Sequence, residues 1–244
     1  MIDGKRVLII MPAWNEADGV ADVVKEVYTT LPGVDVLVVD DGSADNTAAV
    51  ARAAGATVMK LPYNLGVGGA MRAGYKFAHD RGYDVAVQVD ADGQHDPRNV
   101  PELLAHLETG ADLVMGARFA GTGEYQARGP RRWAMLVLAF WLSRMARTRL
   151  TDVTSGFRAC NRDLIEAFAR WYPVEYLGDT VESTIAVLRA GYRVEQVPVA
   201  MRARVTGTPS QSPWRATLYL GRIGMILLLA FSRRSSLGPA QKGK

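Results

Sequence analysis

Apolar and polar positions alternate in blocks along the first half of the chain. Arg6–Met11 is a continuous apolar run, and Ala17–Thr30 follows with Val20, Val23, Val24 and Val27 at helical spacing. Val34–Val39 is a second apolar run, followed by a predicted helix around Thr47–Ala54. A third strand is expected over Thr57–Leu61, a helix over Gly68–Arg81 and a fourth strand over Val85–Val89. Pro101–Thr109 reads as helix and Leu113–Gly116 as a fifth strand. Strands alternating with helices imply βαβ units and a mostly parallel sheet. The runs are apolar on both faces, so helices should cover both sides of that sheet. The fold class is α/β.

The second half is patterned differently. Gly121–Arg132 is a loop rich in Gly and Arg, and Trp133–Met145 is an apolar helix. Asp163–Ala169 and Thr180–Ala190 read as helices, Arg193–Val199 as a strand and Gly207–Pro213 as loop. The organisation expected is one domain over residues 1–212, an apolar helix over 213–232 and a basic, disordered tail over 233–244. No internal repeat or linker interrupts it.

The 244 residues suffice for one domain with a sizeable core. Apolar residues make up 48% and charged residues 22%, which excludes a disordered or fibrous chain. The single cysteine, Cys160, excludes an intrachain disulfide framework and suits a reducing compartment. It reads as a small packed side chain. Of the three histidines, His79 and His106 read as helix-surface residues. His95 admits a loop role or a place in a ligand shell equally. The net charge of +4 suits anionic partners such as nucleotides, phosphates or a membrane surface. No motif for reading nucleic acid accompanies that charge, so no nucleic-acid partner is expected. Met1–Lys5 lead straight into the first strand, so no export signal is expected there. No stretch reaches the roughly 18–20 apolar residues that a membrane span needs.

Three polar clusters follow predicted strands. They are Pro12-Ala13-Trp14-Asn15-Glu16, Asp40-Asp41-Gly42-Ser43 and Asp90-Ala91-Asp92-Gly93-Gln94. Singly, each could do no more than cap the next helix. Three at one sheet edge point to a ligand site, because open α/β sheets bind ligands beyond the carboxyl ends of their strands. Asp90 and Asp92 can present oxygens to one hard cation, Mg²⁺ or Mn²⁺, which uses one or two carboxylates plus substrate phosphates. Asn64-Leu65-Gly66-Val67-Gly68-Gly69-Ala70 opens a helix; its glycines serve close packing or a phosphate equally well. It is neither a P-loop nor a dinucleotide fingerprint.

Taken in order, PAWNE, VDDGSADNT, NLGVGGAMRAGYKFA, QVDADGQHDP and TSGFRA resemble the family 2 inverting glycosyltransferases of the GT-A fold. The resemblance is greatest to the dolichol-phosphate mannose synthase-like, polyprenyl-phosphate branch, and it covers roughly residues 5–210. It implies that Pro12, Ala13, Asn15 and Glu16 line a nucleotide pocket with Asp90 and Ala91, and that Asp41 reads the base or ribose. Asp90 and Asp92 correspond to the family's D-x-D, with Gln94 at a further position in the metal shell. Arg118, Arg131 and Arg132 match arginines that hold phosphate in this branch. Arg204 opens a stretch similar to the family's R-x-x-G-x-S loop, from which it differs by Pro209. Asp152 lies just before the S-G-F-R motif, and Asp179 and Glu182 fall where relatives carry acids near the acceptor. The E-D and Q-x-x-R-W signatures of processive synthases are missing.

The chemistry then depends on the acceptor. A hydroxyl needs a general base, for which Asp152, Asp179 and Glu182 are the candidates, whereas Asp92 would be catalytic through the cation it holds. A phosphate monoester, with a second pKa of about 6, is already anionic and needs cationic positioning instead. Between Arg118 and Arg149 the chain carries seven Arg and one acid, Glu124, which favours a polyprenyl phosphate. Trp133–Leu142, flanked by Arg131, Arg132, Arg144, Arg147 and Arg149, fits a helix lying in a lipid interface as well as it fits a core helix. The family resemblance favours the interface, at the cytoplasmic face of the membrane. A separate membrane protein is a further candidate partner, though no residue identifies one. Two other readings stay open: transfer to a hydroxyl acceptor, and a non-catalytic nucleotide-sugar-binding scaffold.

Overall fold

A computed structural model describes residue 2, residues 4–117, 139–174 and 179–202, and residues 237 and 240. The expected order holds through the first half: β1 (Val7–Ala13), α1 (Val20–Thr30), β2 (Asp35–Asp40), α2 (Thr47–Ala53), β3 (Thr57–Lys60), α3 (Gly66–Asp80) and β4 (Val85–Gln88). A 3₁₀ turn, Pro97–Asn99, then leads into α4 (Val100–Glu108), which is followed by β5 (Leu113–Ala117). Beyond these lie a helix over 139–146, here α5, then β6 (Arg158–Asn161), α6 (Arg162–Arg170), α7 (Asp179–Arg189) and β7 (Val194–Pro198).

One seven-stranded sheet runs in the order β3-β2-β1-β4-β6-β5-β7. Every neighbouring pair is parallel except those made by β6, which runs antiparallel to both β4 and β5. Alternate side chains of β1 feed two cores. Leu8 and Ile10 join residues of α3, α6 and α7 on one face, while Val7, Ile9 and Met11 join α1 and α4 on the other. Strands buried on both faces explain why the runs are apolar throughout.

Strand β6 has no counterpart among the expected elements. Its four residues, Arg-Ala-Cys-Asn, carry no apolar run or alternation to reveal them. Burial pushes the Cys160 thiol up to about 12, which suits a packed side chain rather than a reactive one. The tail is held at two points: Leu237 packs in the core and the Ala240 amide donates to the Ala190 carbonyl at 2.9 Å. The rest of 233–244, where disorder is expected, lies outside the described residues. The apolar helix expected over 213–232 lies outside the described residues, as does 133–138 of the interfacial helix. In α5 Leu142 faces the core, whereas Phe140, Trp141 and Met145 are exposed. The described part of that helix is therefore amphipathic, not buried all round. Among the described residues, no helix is long and apolar enough to cross a membrane.

Candidate active site

The loops after β1, β2 and β4 meet at the carboxyl edge of the sheet. The first two are stitched together. The Asp41 amide donates to the Ala13 carbonyl at 2.8 Å, the Asn15 amide to Ser43 Oγ at 2.9 Å and the Glu16 amide to Thr47 Oγ1 at 2.9 Å. Asn15 sits at φ 54°, a left-handed conformation that Asn tolerates better than most residues. Its side-chain oxygen accepts from the Ala44 amide at 2.9 Å, so this side chain ties the loops together. Pro12 is half-buried, Ala13 is buried beneath this junction and Trp14 is 55% exposed beside it.

Asp41, the residue expected to read a base or ribose, sits at the start of α3. It is buried, and its two carboxylate oxygens accept from the amides of Leu65 at 2.7 Å and Gly66 at 2.8 Å. Burial raises its pKa, those two amides oppose the rise and neighbouring Asp40 adds to it. The carboxylate thus caps α3, where an anion is favoured by unmet N–H groups and the helix dipole. The glycines of this stretch also gain a role. A Cβ at Gly68 would lie 2.3 Å from the Pro173 carbonyl and 3.2 Å from Asp179 Cβ, so α3 packs directly against the start of α7. Close packing accounts for Gly68 without a ligand.

The D-x-D segment follows β4. Asp92 is buried and its Oδ1 accepts from the Gln94 amide at 3.0 Å, closing a tight turn. The Asp90 side chain stays 35% exposed. Its Oδ1 accepts from Gln88 Nε2 at 3.0 Å. His95 is folded back beneath it: the Asp90 amide donates to His95 Nδ1 at 3.0 Å, and Nε2 lies 3.6 Å from Asp90 Oδ2. Ala91 is buried between the two acids. The far end of this loop is fastened to the chain after β7. The Arg202 amide donates to the Gln94 carbonyl, while its guanidinium reaches both oxygens of Glu26 and Asp96 Oδ2 at 2.8–2.9 Å.

Of the remaining acids, Asp179 belongs to this region. It is 3% exposed at the start of α7, and its Oδ2 has no hydrogen-bond partner. Burial pushes its carboxyl up to about 6; Arg158 opposes the rise and Asp90 adds to it, which marks Asp179 and Asp90 as electrostatic neighbours. Glu182 lies half-buried one turn further on. Asp152 is 0% exposed, and its Oδ1 accepts from the amide and hydroxyl of Thr154 at 3.1 and 2.9 Å. In this position the carboxylate supports its own loop. Arg118, Arg131, Arg132 and Arg204 lie outside the described residues. Gln88 and Gly156 are not foreseen in the sequence as neighbours of Asp90. The pairing of Gln88 with Arg158 across β4 and β6 brings them there, and the unrecognised β6 hid it.

Among the described residues, no group of three or more His, Cys, Asp or Glu is gathered for a metal ion. Mg²⁺ or Mn²⁺ takes one or two carboxylates and completes its shell with phosphate and water. A half-exposed Asp90, with Asp92 two residues on and the orphaned oxygen of Asp179 nearby, makes an anionic edge that a cation would offset.

Residues 8–168 match the family model described as glycosyl transferase family 2. The chain belongs to that family. It is therefore a glycosyltransferase, and its relatives fall in the polyprenyl-phosphate mannose synthase branch. A polyprenol monophosphomannose synthase of Mycolicibacterium smegmatis is 31% identical over 85% of this chain and 82% of its own length. An undecaprenyl-phosphate mannosyltransferase of Micrococcus luteus is 35% identical over 85% of this chain and 88% of its own. Glucosyl-3-phosphoglycerate synthase of Mycobacterium tuberculosis, solved with Mn²⁺, uridine diphosphate and phosphoglyceric acid, superposes with a TM-score of 0.71. That match covers 96% of this chain and 81% of the other at 22% identity, and it shows the shared GT-A fold.

Proposed function

We propose that this glycosyltransferase moves one sugar, with inversion, from a GDP- or UDP-linked donor to a polyprenyl phosphate at the cytoplasmic face of the membrane. The observation that carries the reading is the Asp90/Asp92 pair at the switch edge of a sheet whose relatives act, by name, on polyprenyl phosphates. Mannose is the sugar that those relatives name. Asp90 and Asp92, with Gln94 beside them, would hold Mg²⁺ or Mn²⁺. Such an ion offsets the charge that develops on the leaving diphosphate. The loops around Pro12, Ala13, Asn15 and Glu16 form the wall for the nucleoside. Arg118, Arg131, Arg132 and Arg204 remain the proposed holders of the acceptor phosphate.

The disposition of the acids supports a phosphate acceptor. Asp152 is buried and its Oδ1 is engaged by Thr154, which supports that reading. A phosphate dianion needs no base at all. One observation favours the second reading, a hydroxyl acceptor. Asp179, whose carboxyl burial pushes up to about 6, has the raised pKa that a general base at neutral pH requires.

The test is a lipid-extraction assay. Protein, labelled UDP- and GDP-sugars, a divalent cation and a short polyprenyl phosphate are mixed, GDP-mannose first. Label should enter the organic phase only with cation present. Asp92→Ala should lower that rate about a hundredfold or more, as loss of several kcal/mol of charge stabilisation requires, with an unchanged circular dichroism spectrum. Label that stays aqueous while donor is bound or slowly hydrolysed would turn the assignment to a hydroxyl acceptor. An unchanged rate in Asp92→Ala would remove the metal assignment.

A further inference from the structure

The surroundings of Asp90 hold more polar structure than the D-x-D spacing alone requires. Gln88 is 2% exposed in the middle of the sheet. Its Nε2 faces Asp90 Oδ1, the only sensible orientation because a carboxylate accepts and never donates. Its other end, Oε1, is buried with no partner. A buried amide half satisfied is a cost to the fold that a methionine of similar volume would not incur. What the amide gains is its grip on Asp90.

His95 grips the same residue from the other side. Nδ1 accepts the Asp90 amide, which assigns the ring proton to Nε2, and Nε2 looks toward Oδ2. The ring is itself fixed by stacking on Phe157, with centroids 5.0 Å apart and planes 24° apart. The third contact comes from the residue before that phenylalanine. A Cβ on Gly156 would lie 2.8 Å from Gln88 Nε2 and 3.4 Å from Asp90 Oδ2. Only glycine lets this backbone lie against the Gln88–Asp90 pair without displacing it. The antiparallel pairing of β4 with β6 places Gln88 opposite Arg158, and so brings Gly156 and Phe157 to this spot.

We infer that Gln88, His95 and Gly156 are positioning residues that hold the Asp90 carboxylate in one orientation, leaving its exposed side for a divalent cation bound with the donor diphosphate. The inference rests on the metal reading above and extends it to groups that touch neither cation nor substrate. A carboxylate with free rotation must be ordered at each binding event; one held from behind has that order in advance. The S-G-F-R motif thereby acquires a function in the donor site, through its Gly and Phe, besides the structural role of its Arg.

The experiment measures Mn²⁺ binding by the full-length protein in the presence of GDP or UDP, from the electron paramagnetic resonance signal of free Mn²⁺. Gln88→Met should raise the Mn²⁺ dissociation constant about tenfold to a hundredfold, the range for partners that orient metal ligands, without lowering the melting temperature. The same variant should regain most of its turnover at saturating Mn²⁺, so the effect falls on the metal half-saturation and not on kcat. His95→Leu should weaken binding similarly, and His95→Asn, which keeps an acceptor near the Nδ1 position, should restore part of it. Gly156→Ala should weaken binding too, but the buried Gln88 variant is the decisive one because it does not overfill the site. Unchanged Mn²⁺ affinity in Gln88→Met, with Asp92→Ala losing binding, would overturn the positioning role and leave the metal site standing. Absence of nucleotide-dependent Mn²⁺ binding by the unaltered protein would overturn both.

Discussion

Asp179 shows how much one side chain can depend on its surroundings. Its sequence neighbours reveal nothing, yet α7 places it against Gly68 of α3, near Arg158 of β6 and within the field of Asp90. A carboxyl whose folded pKa, about 6, exceeds its ordinary value of 3.8 binds its proton more tightly when folded. Its contribution to stability is then complete below about pH 4 and is lost as pH rises through 6. Above that, folding must keep a buried carboxylate ionised. Asp179→Asn should therefore match the parent near pH 4 and exceed it by about 2–3 kcal/mol at pH 7.5 without metal. Urea unfolding at the two pH values checks this. A variant less stable than the parent at pH 7.5 would show that the ionised carboxylate is held by a partner. At this scale the sequence was a partial guide. The Asp90–Asp92 spacing and the three loop clusters were legible because they are contiguous. The capping by Asp41 and the enclosure of Asp152 were not, since each depends on what the chain brings back from far away.

At the scale of elements, β6 joins the two halves of the sheet and carries a buried guanidinium. Arg158 is 1% exposed. Its Nε donates to the Ser155 carbonyl at 2.8 Å, Nη1 to Ser183 Oγ at 2.9 Å and Nη2 to the Thr180 carbonyl at 3.0 Å. These bonds fasten the loop before β6 to the first turns of α7, and so fix where Asp179 sits. Removing the guanidinium would leave buried acceptors unmet, the costly direction of change. Arg158→Met should lower unfolding stability by about 3 kcal/mol, read from urea midpoints. A loss under about 0.5 kcal/mol would mean that water replaces those bonds freely. The parallel part of the sheet could be read in advance because its strands are continuous apolar runs and each helix between them repeats at helical spacing. Strand β6 could not, because its identity as a strand comes from its partners β4 and β5 and not from its own four residues. The start of α3 was set two residues late for a related reason. Gly66, at φ 80°, looks like loop in sequence, yet Asp41 caps its amide and lets the helix begin there.

On the proposed function the whole molecule brings a soluble donor and a lipid-borne acceptor to one edge, and its surface carries an asymmetry suited to that. Phe140 is 62% exposed and Trp141 46% exposed on the outer face of α5, with Met145 one turn on. Arg144, Arg147 and Arg149 are exposed alongside them. Isolated exposed apolar residues are ordinary, but an aromatic pair bordered by three arginines combines the two attractions that hold a helix in a lipid interface. Leu142, on the opposite face and fully buried, fixes which side of the helix looks outward. Each arginine near an anionic surface contributes about 1 kcal/mol at moderate salt, and the attraction falls off within a Debye length. The expected outcome is binding to vesicles containing anionic lipid, weakened by raised salt and about thirtyfold weaker in Arg144→Gln/Arg147→Gln, the loss of two such contacts. Phe140→Ser/Trp141→Ser should weaken binding at every salt concentration, because the apolar term is not screened. Sedimentation with sucrose-loaded vesicles measures both. Neither pair takes part in the contacts described around Asp90, so neither should alter Mn²⁺ affinity measured with nucleotide. If vesicle binding were indifferent to both pairs while transfer to polyprenyl phosphate persisted, attachment would have to come from a surface other than the outer face of α5.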